Sequence, residues 1–226
     1  DFNTYACTVA TDESKAEKLY ESAKRQNSTF INLGDKTTWK GGVMEAGKGG
    51  GQKINLVKEF IKDKKDSDVI VFFDGYDTFL SESIEEITYR FMEFSERAIF
   101  SSERFCWPEE SLGEQMIALN PIKSTPYQYL NSGTYVARIG ELKKIFAPHI
   151  PNDGDDQLYV QKQHLTGDYS IACDVEGYMF TCYEPQIEVR NGQLFNPITG
   201  CYTCAYHGNG GEKQKQLMRE LYQSVY

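Results

Sequence analysis

The sequence predicts an α/β fold, and three observations carry that prediction. Strand-like and helix-like segments alternate as βαβαβαβ between Thr4 and Ser101. The run Val69 to Phe73, VIVFF, is continuously apolar, as an interior strand covered on both faces requires. No internal repeat and no Pro/Gly/Ser-rich linker divides the chain, so residues 1–226 are expected to form one domain.

Each element follows from local pattern. Thr4 to Ala10 mixes β-branched, aromatic and small residues as a buried strand does. Thr11 or Asp12 can cap a helix whose apolar positions Ala16, Leu19, Tyr20 and Ala23 recur at i, i+3, i+4, i+7. Thr29 to Leu33 reads as a second strand. Ile54, Val57, Phe60 and Ile61 mark a second helix, Asp68 to Phe73 the interior strand, and Ile84, Ile87, Phe91 and Phe94 a third helix. Ala98 to Ser101 is a short strand. Beyond it, Tyr135 to Ile139 reads as a strand, Glu141 to Phe146 and Asp155 to His164 as helices, and Gly211 to Tyr226 as a helical tail.

Composition excludes several function classes. With 24 basic against 33 acidic residues and a net charge of −9, the chain lacks the cationic excess that nucleic-acid binding by phosphate neutralisation needs. The longest apolar run is far below the ~20 residues that span a bilayer, so no membrane span is expected. Residues 1–10 show neither a basic n-region nor a long apolar h-region, so no signal peptide is expected, and the missing initiator Met suggests a mature or trimmed chain. Six cysteines are too few for a disulfide scaffold. The close pair Cys201 and Cys204 reads as a local disulfide or two packed thiols, since a single CxxC lacks the second pair of a zinc site. Asn27-Ser28-Thr29 is a glycosylation triplet that points weakly to a secretory history.

In open α/β sheets, ligands collect at the carboxyl ends of strands. Directly after VIVFF comes Asp74-Gly75-Tyr76-Asp77. Two carboxylates three apart around a Gly turn can converge on Mg2+ or Mn2+; an acidic turn capping the next helix would explain Asp77 but leave Asp74 unpaired. Trp39 to Lys53 carries six glycines in fifteen residues and leads into a helix, as a phosphate-approaching loop or a mobile lid does, without the ending of a P-loop. His207 and Lys213, just before the last helix, can supply a third metal ligand and a cation to an anionic nucleotide. Asp153, Asp155 and Asp156 have a structural reading as helix-start carboxylates beside their functional one. None of His149, His164 or His207 begins an His-x-Asp or His-x-Glu, which argues against an iron hydroxylase site.

Six segments occur in an order that resembles the amino-terminal glycosyltransferase domain of the multifunctional procollagen lysyl hydroxylases. They are Asp74-Gly75-Tyr76-Asp77, the Trp39 to Lys53 stretch, Phe105-Cys106-Trp107-Pro108-Glu109, Leu130-Asn131-Ser132-Gly133, Asp155-Asp156-Gln157-Leu158 and His207-Gly208-Asn209-Gly210, within Thr4 to Lys213. The resemblance implies a GT-A fold with a Rossmann-like central mixed sheet flanked by helices. It implies UDP-glucose as donor, Mn2+ as cofactor with Mg2+ as a substitute, and retaining transfer to galactosyl-hydroxylysine of collagen or a collagen-like peptide. By the same carry-over, Asp74, Asp77 and His207 are metal ligands, Trp39 and Tyr76 flank the nucleotide, and Lys53, Asn209, Gly210 and Lys213 lie near the diphosphate. Thr8, Ala10 and Thr11 belong to the uridine segment, Trp107 and Asn131 face the sugar or acceptor (Trp107 equally suits a core), and Asp156, with Asp155 beside it, sits at the anomeric centre.

Four departures from the family pattern bear on acceptor and rate more than on donor binding: Val43-Met44, Gly154, Thr134 and Gly211-Glu212. The family implies the endoplasmic reticulum lumen and a covalently linked hydroxylase domain outside this chain; a cytoplasmic or viral origin stays open. Rival readings are galactose transfer from UDP-galactose to hydroxylysine, and a catalytically silent UDP-sugar-binding module.

Overall fold

The computed structural model describes residues 1–44 and 48–226; Glu45, Ala46 and Gly47 of the Gly-rich stretch lie outside the described residues. In chain order the elements are β1 (Thr4–Val9), α1 (Glu17–Arg25), β2 (Ile31–Asn32), α2 (Gly51–Ile61), β3 (Val69–Asp74), β4 (Thr78–Leu80), α3 (Ile84–Phe91), β5 (Ala98–Glu103), α4 (Gly113–Leu119), β6 (Tyr129–Arg138), α5 (Ile139–Ile145), α6 (Asp156–Thr166), β7 (Ile171–Asp174), β8 (Phe180–Cys182), β9 (Glu188–Arg190), β10 (Gln193–Asn196), β11 (Cys201–Thr203), β12 (Ala205–His207) and α7 (Glu212–Val225). The main sheet runs β2-β1-β3-β6-β5-β7, with β6 antiparallel to both neighbours and the other pairs parallel.

The VIVFF run is explained by its two faces. Ile70 and Phe72 join a core with Cys7, Val9, Phe100 and Tyr135 beneath Ile54, Val57 and Ile61 of α2 and Val160 of α6. Val69, Val71 and Phe73 point the opposite way, as a period of two demands, into a core with Leu19 of α1 and Ile84, Ile87 and Phe91 of α3. On that second face Ser83 caps α3, accepting from the Glu86 N–H, whereas Asp12 caps the short 3-10 turn that leads into α1, accepting from the Ser14 N–H.

Three predicted boundaries move. The second strand shrinks to Ile31–Asn32, and the strands expected at Ala98 to Ser101 and Tyr135 to Ile139 lengthen to Ala98–Glu103 and Tyr129–Arg138. The additions at Ser102, Glu103 and Tyr129 to Thr134 are rich in polar residues, and an apolar pattern does not reveal them. The helix α4 and the short strands β4 and β7 to β12 were not foreseen either. Two small three-stranded sheets, β11-β10-β9 and β4-β12-β8, pack with α7 over a third core around Phe79, Leu194, Tyr206 and Met218. Cys201 and Cys204 are free thiols rather than a disulfide, Cys204 fully buried.

Candidate active site

The site forms where β3 ends. Asp74 is the last residue of β3, paired in register with Val9 of β1, and the chain turns through Gly75 to Asp77 before entering β4. Gly75 lets the turn lie close to β1: a Cβ there would stand 3.1 Å from Thr8 Oγ1 and 3.3 Å from the Ala10 Cβ, a tight fit. β4 then pairs antiparallel with β12, setting Thr78 opposite His207, while the Gly208 N–H donates to the Asp77 carbonyl at 2.8 Å. Two segments far apart in sequence thus close one cluster. His207 Nε2 lies 3.3 Å from Asp77 Oδ1 and 3.9 Å from Asp74 Oδ2.

Among the described residues Asp74, Asp77 and His207 are the trio placed to hold a metal ion, their ligand atoms all within 4.8 Å of one another. Their surroundings fit that role. Gly133 of β6 leaves the room, since a Cβ there would meet His207 Cε1 at 2.2 Å and Asp74 Oδ2 at 2.9 Å. The buried Nδ1 of His207 has no hydrogen-bond partner. Two carboxylates and an imidazole form a mixed hard donor set suited to Mn2+ or Mg2+.

Beside the trio lies a buried bridge. The Lys53 ammonium is 2.7 Å from Asp74 Oδ1 and 2.8 Å from Asp156 Oδ2. Asp74, which the acidic-turn reading would leave unpaired, has a cation of the protein's own: Lys53, in the first turn of α2, reaches back to it. The approach depends on Gly50, at φ +95°, where a Cβ would lie 2.6 Å from Asp156 Oδ1. Burial pulls the Lys53 ammonium toward neutrality, but Asp156 and Asp74 outweigh it and raise its pKa. Asp74 shares that single cation with Asp156, and burial holds its carboxyl above the usual range. Asp77 titrates low because the charge of His207 and the hydrogen bond to it overcome burial, with help from Lys215. Against the same burial, Asp77 raises the pKa of His207.

Asp155 and Asp156 divide their roles. Asp155 caps α6, its Oδ1 accepting from the Leu158 N–H at 2.7 Å. Asp156 faces Lys53 and accepts from Ser132 Oγ at 3.2 Å. Burial raises the pKa of Asp155 more than its cap on the Leu158 N–H lowers it.

The remaining predicted residues distribute around this floor. Thr8 is fully buried, donating to the Phe73 carbonyl at 2.7 Å; both backbone groups of Ala10 are held by the Asn32 amide. The exposed Tyr76 places its hydroxyl 3.5 Å from Thr11 Oγ1 and accepts from the Asp12 N–H at 3.1 Å. Trp39 is partly buried against the first core and donates through Nε1 to the Gly42 carbonyl. Asn209 donates to Glu103 and accepts from the Tyr183 N–H; Gly210 is exposed at φ +119°. Lys213 is exposed in the first turn of α7, and Lys215 is the α7 lysine whose charge acts on Asp77.

Asn131 is buried, donating to Glu103 at 2.8 Å, and Trp107 is 46% exposed, which answers the core alternative for its indole. Sequence reasoning missed Glu103. This buried carboxylate accepts from three amides, those of Asn131, Gln157 and Asn209, and burial raises its pKa against their pull. It stands at the carboxyl end of β5, where the strand-end rule would have found it had the strand been drawn to its full length.

Comparison with known proteins gives the family. The family model for the PLOD GT domain matches residues 2–222. The chain belongs to the PLOD GT domain family. A multifunctional procollagen lysine hydroxylase and glycosyltransferase of Caenorhabditis elegans is 36% identical over 91% of this chain and 30% of its own length. The human protein of that name is 34% identical over 70% of this chain and 21% of its own. An uncharacterized protein of Acanthamoeba polyphaga mimivirus is 32% identical over 83% of this chain and 41% of its own. The chain thus spans less than half the length of these relatives.

Among solved structures, a glycosyltransferase involved in glycosylation of the major capsid of PBCV-1 superposes with a TM-score of 0.54 at 10% identity, covering 97% of this chain and 100% of that one. This supports the GT-A fold of the PLOD GT domain. No helix among the described residues is long and apolar enough to cross a membrane.

Proposed function

We propose that this PLOD GT domain is a retaining, Mn2+-dependent glucosyltransferase that moves glucose from UDP-glucose to galactosyl-hydroxylysine of collagen or a collagen-like peptide. The observation that carries the reading is the adjacency of the Asp74–Asp77–His207 trio to the Lys53–Asp156 bridge. Asp74, Asp77 and His207 would hold a divalent ion, Mn2+ or Mg2+ in its stead, which when bound would supply positive charge to the diphosphate and to the departing UDP.

The chain's own residues do the rest. Thr8 to Thr11, Tyr76 and Trp39 form the nucleotide wall, and Lys53, Asn209, Gly210 and Lys213 the diphosphate side. Transfer breaks the bond from the anomeric carbon to UDP, which leaves with the electron pair, while the acceptor hydroxyl oxygen forms the new bond and gives up its proton to the departing diphosphate oxygen. Positive character on the anomeric carbon is steadied by a carboxylate, and Asp156 is the one turned inward while Asp155 is engaged in capping. Trp107 and Asn131 lie on the acceptor side. The acceptor fits the secretory lumen, and the names of the relatives, hydroxylase and glycosyltransferase in one protein, support a linked hydroxylase domain.

The test is turnover with UDP-glucose or UDP-galactose on peptides carrying galactosyl-hydroxylysine or bare hydroxylysine, in Mn2+ and in EDTA, read by UDP release and product mass. Glucose on the galactosyl peptide, lost in EDTA and in Asp77→Ala, is expected. Galactose on bare hydroxylysine would make it the galactosyltransferase. Ligand-induced thermal stabilisation by UDP-sugar without turnover would make it a silent module.

A further inference from the structure

Two glutamines one turn apart on α6 converge on a single backbone oxygen. Gln157 Nε2 donates to the Trp107 carbonyl at 2.7 Å, and Gln161 Nε2 donates to the same carbonyl at 2.8 Å. Each amide has a second anchor: Gln157 also donates to Glu103 at 3.0 Å, and Gln161 to the Leu130 carbonyl at 2.9 Å. The segment so held joins β5 to α4 and carries the most exposed aromatic residues beside the site, Phe105 at 68% and Trp107 at 46%.

Packing alone does not account for this arrangement. Gln161 is fully buried, and its Oε1 has no hydrogen-bond partner. A buried amide with an orphaned oxygen is costly, and Gln161 bears that cost while its Nε2 serves two carbonyls. Its donor end is what the fold uses, and that end holds Trp107.

We infer that Gln157 and Gln161 are positioning residues that fix the Trp107 segment at the acceptor side of the site, and so set acceptor affinity without touching the acceptor. The helix that presents Asp156 in its first turn thereby also fixes the distance between that carboxylate and the aromatic rim. Neither amide bonds Asp74, Asp77, His207 or Lys53; Gln157 meets the donor side at one remove, through Glu103, which also accepts from Asn209, and through Ser132, while Gln161 Nε2 donates to backbone carbonyls alone. The acceptor half of this inference rests on the glycosyltransferase reading above; the positional half does not.

The chain has two tryptophans, Trp39 and Trp107, so fluorine NMR of fluorotryptophan-labelled protein gives two indole signals, assigned with Trp107→Phe. In Gln157→Met and Gln161→Met the Trp107 signal should shift or broaden while that of Trp39 stays. The KM for galactosyl-hydroxylysine peptide should rise about fivefold or more, with UDP-glucose Kd within about twofold of the parent. Unchanged signals in both folded variants, or acceptor KM and donor Kd weakening in parallel, would overturn the inference. If Gln161→Met does not fold, Gln157→Met at its half-buried position decides alone. Absence of transfer by the parent protein would strike the acceptor reading, while the fluorine signals still decide whether the amides hold Trp107.

Discussion

The floor of the site and its rim are built on opposite electrostatic plans. On the floor, formal charges sit within 2.7–3.9 Å of one another and are largely withdrawn from water: Lys53 between Asp74 and Asp156, His207 against Asp77. The rim is held by neutral amides, from Asn131, Gln157, Gln161 and Asn209, gathered on one carboxylate and a few carbonyls. A charge stranded in low dielectric loses several kcal/mol, whereas one amide hydrogen bond is worth about 1 kcal/mol to a carbonyl and about 1.5–3 kcal/mol to the Glu103 carboxylate. The floor therefore holds its geometry rigidly for charge-separating chemistry, and the rim can be retuned for a different acceptor at small cost.

The sharpest way to break this contrast is Lys53→Met. It leaves Asp74 and Asp156 buried without their shared cation. Metal-free protein should lose about 3–5 kcal/mol of unfolding free energy, read by chemical denaturation. Mn2+ should restore part of the loss, because a cation on Asp74 replaces some of the missing charge. A loss near 1 kcal/mol, the size of an amide bond, would show that the floor is no different from the rim.

Asp156→Asn comes next. It keeps shape and the contact with Ser132 but removes the charge facing Lys53. If that charge acts at the anomeric centre, turnover should fall roughly a hundredfold or more, about 3 kcal/mol of barrier, with little change in UDP-glucose affinity. Unimpaired turnover would leave Asp156 a partner of Lys53 and nothing more.

The same helix offers a pH-dependent effect that is absent at neutral pH. His164 is buried on α6, its Nε2 has no partner, and burial lowers its pKa from 6.5 to about 4. The folded state thus holds it neutral where the unfolded chain binds a proton. Its contribution is constant above the unfolded value, and stability falls as pH drops from about 6.5 toward 4, by up to about 1.4 kcal/mol per pH unit. His164→Leu should flatten that stretch of the stability profile relative to the parent; identical slopes would mean that His164 protonates freely in the fold.

Legibility from sequence divides along a similar line. The elements of the main sheet before residue 104 were readable because their cores repeat at two or 3.6 residues, and Asp74 and Asp77 stood out because they follow the most apolar strand. His207 was placed with the metal by chemistry and by family resemblance; the pairing of β4 with β12 that delivers it is a long-range contact between three-residue strands with no periodicity to read. Glu103, Gln157 and Gln161 act through hydrogen bonds to one another and to backbone oxygens, and polar residues without a repeat carry no signal of who their partners are. The Lys53 bridge was half legible: a lysine after a Gly-rich loop pointed to an anion, but the anions it meets belong to the protein.

The smallest expected effect separates two adjacent residues of one acidic pair. Asp155 accepts from the Leu158 N–H at the start of α6, and its neighbour alone faces Lys53. Asn caps a helix about as well as Asp, so Asp155→Asn should leave both melting temperature and turnover close to the parent values. Asp155→Ala removes the cap and should cost about 1 kcal/mol of stability. Because α6 also bears Asp156, Gln157 and Gln161, a frayed first turn would lower turnover slightly through position rather than charge. The comparison to make is therefore between the two substitutions at Asp155. Stability lost in Asp155→Ala and kept in Asp155→Asn, with turnover following stability, is the signature of a cap. A hundredfold fall of turnover in the folded Asp155→Asn would instead put its charge in the transition state, and the division of labour between floor and helix start would have to be redrawn.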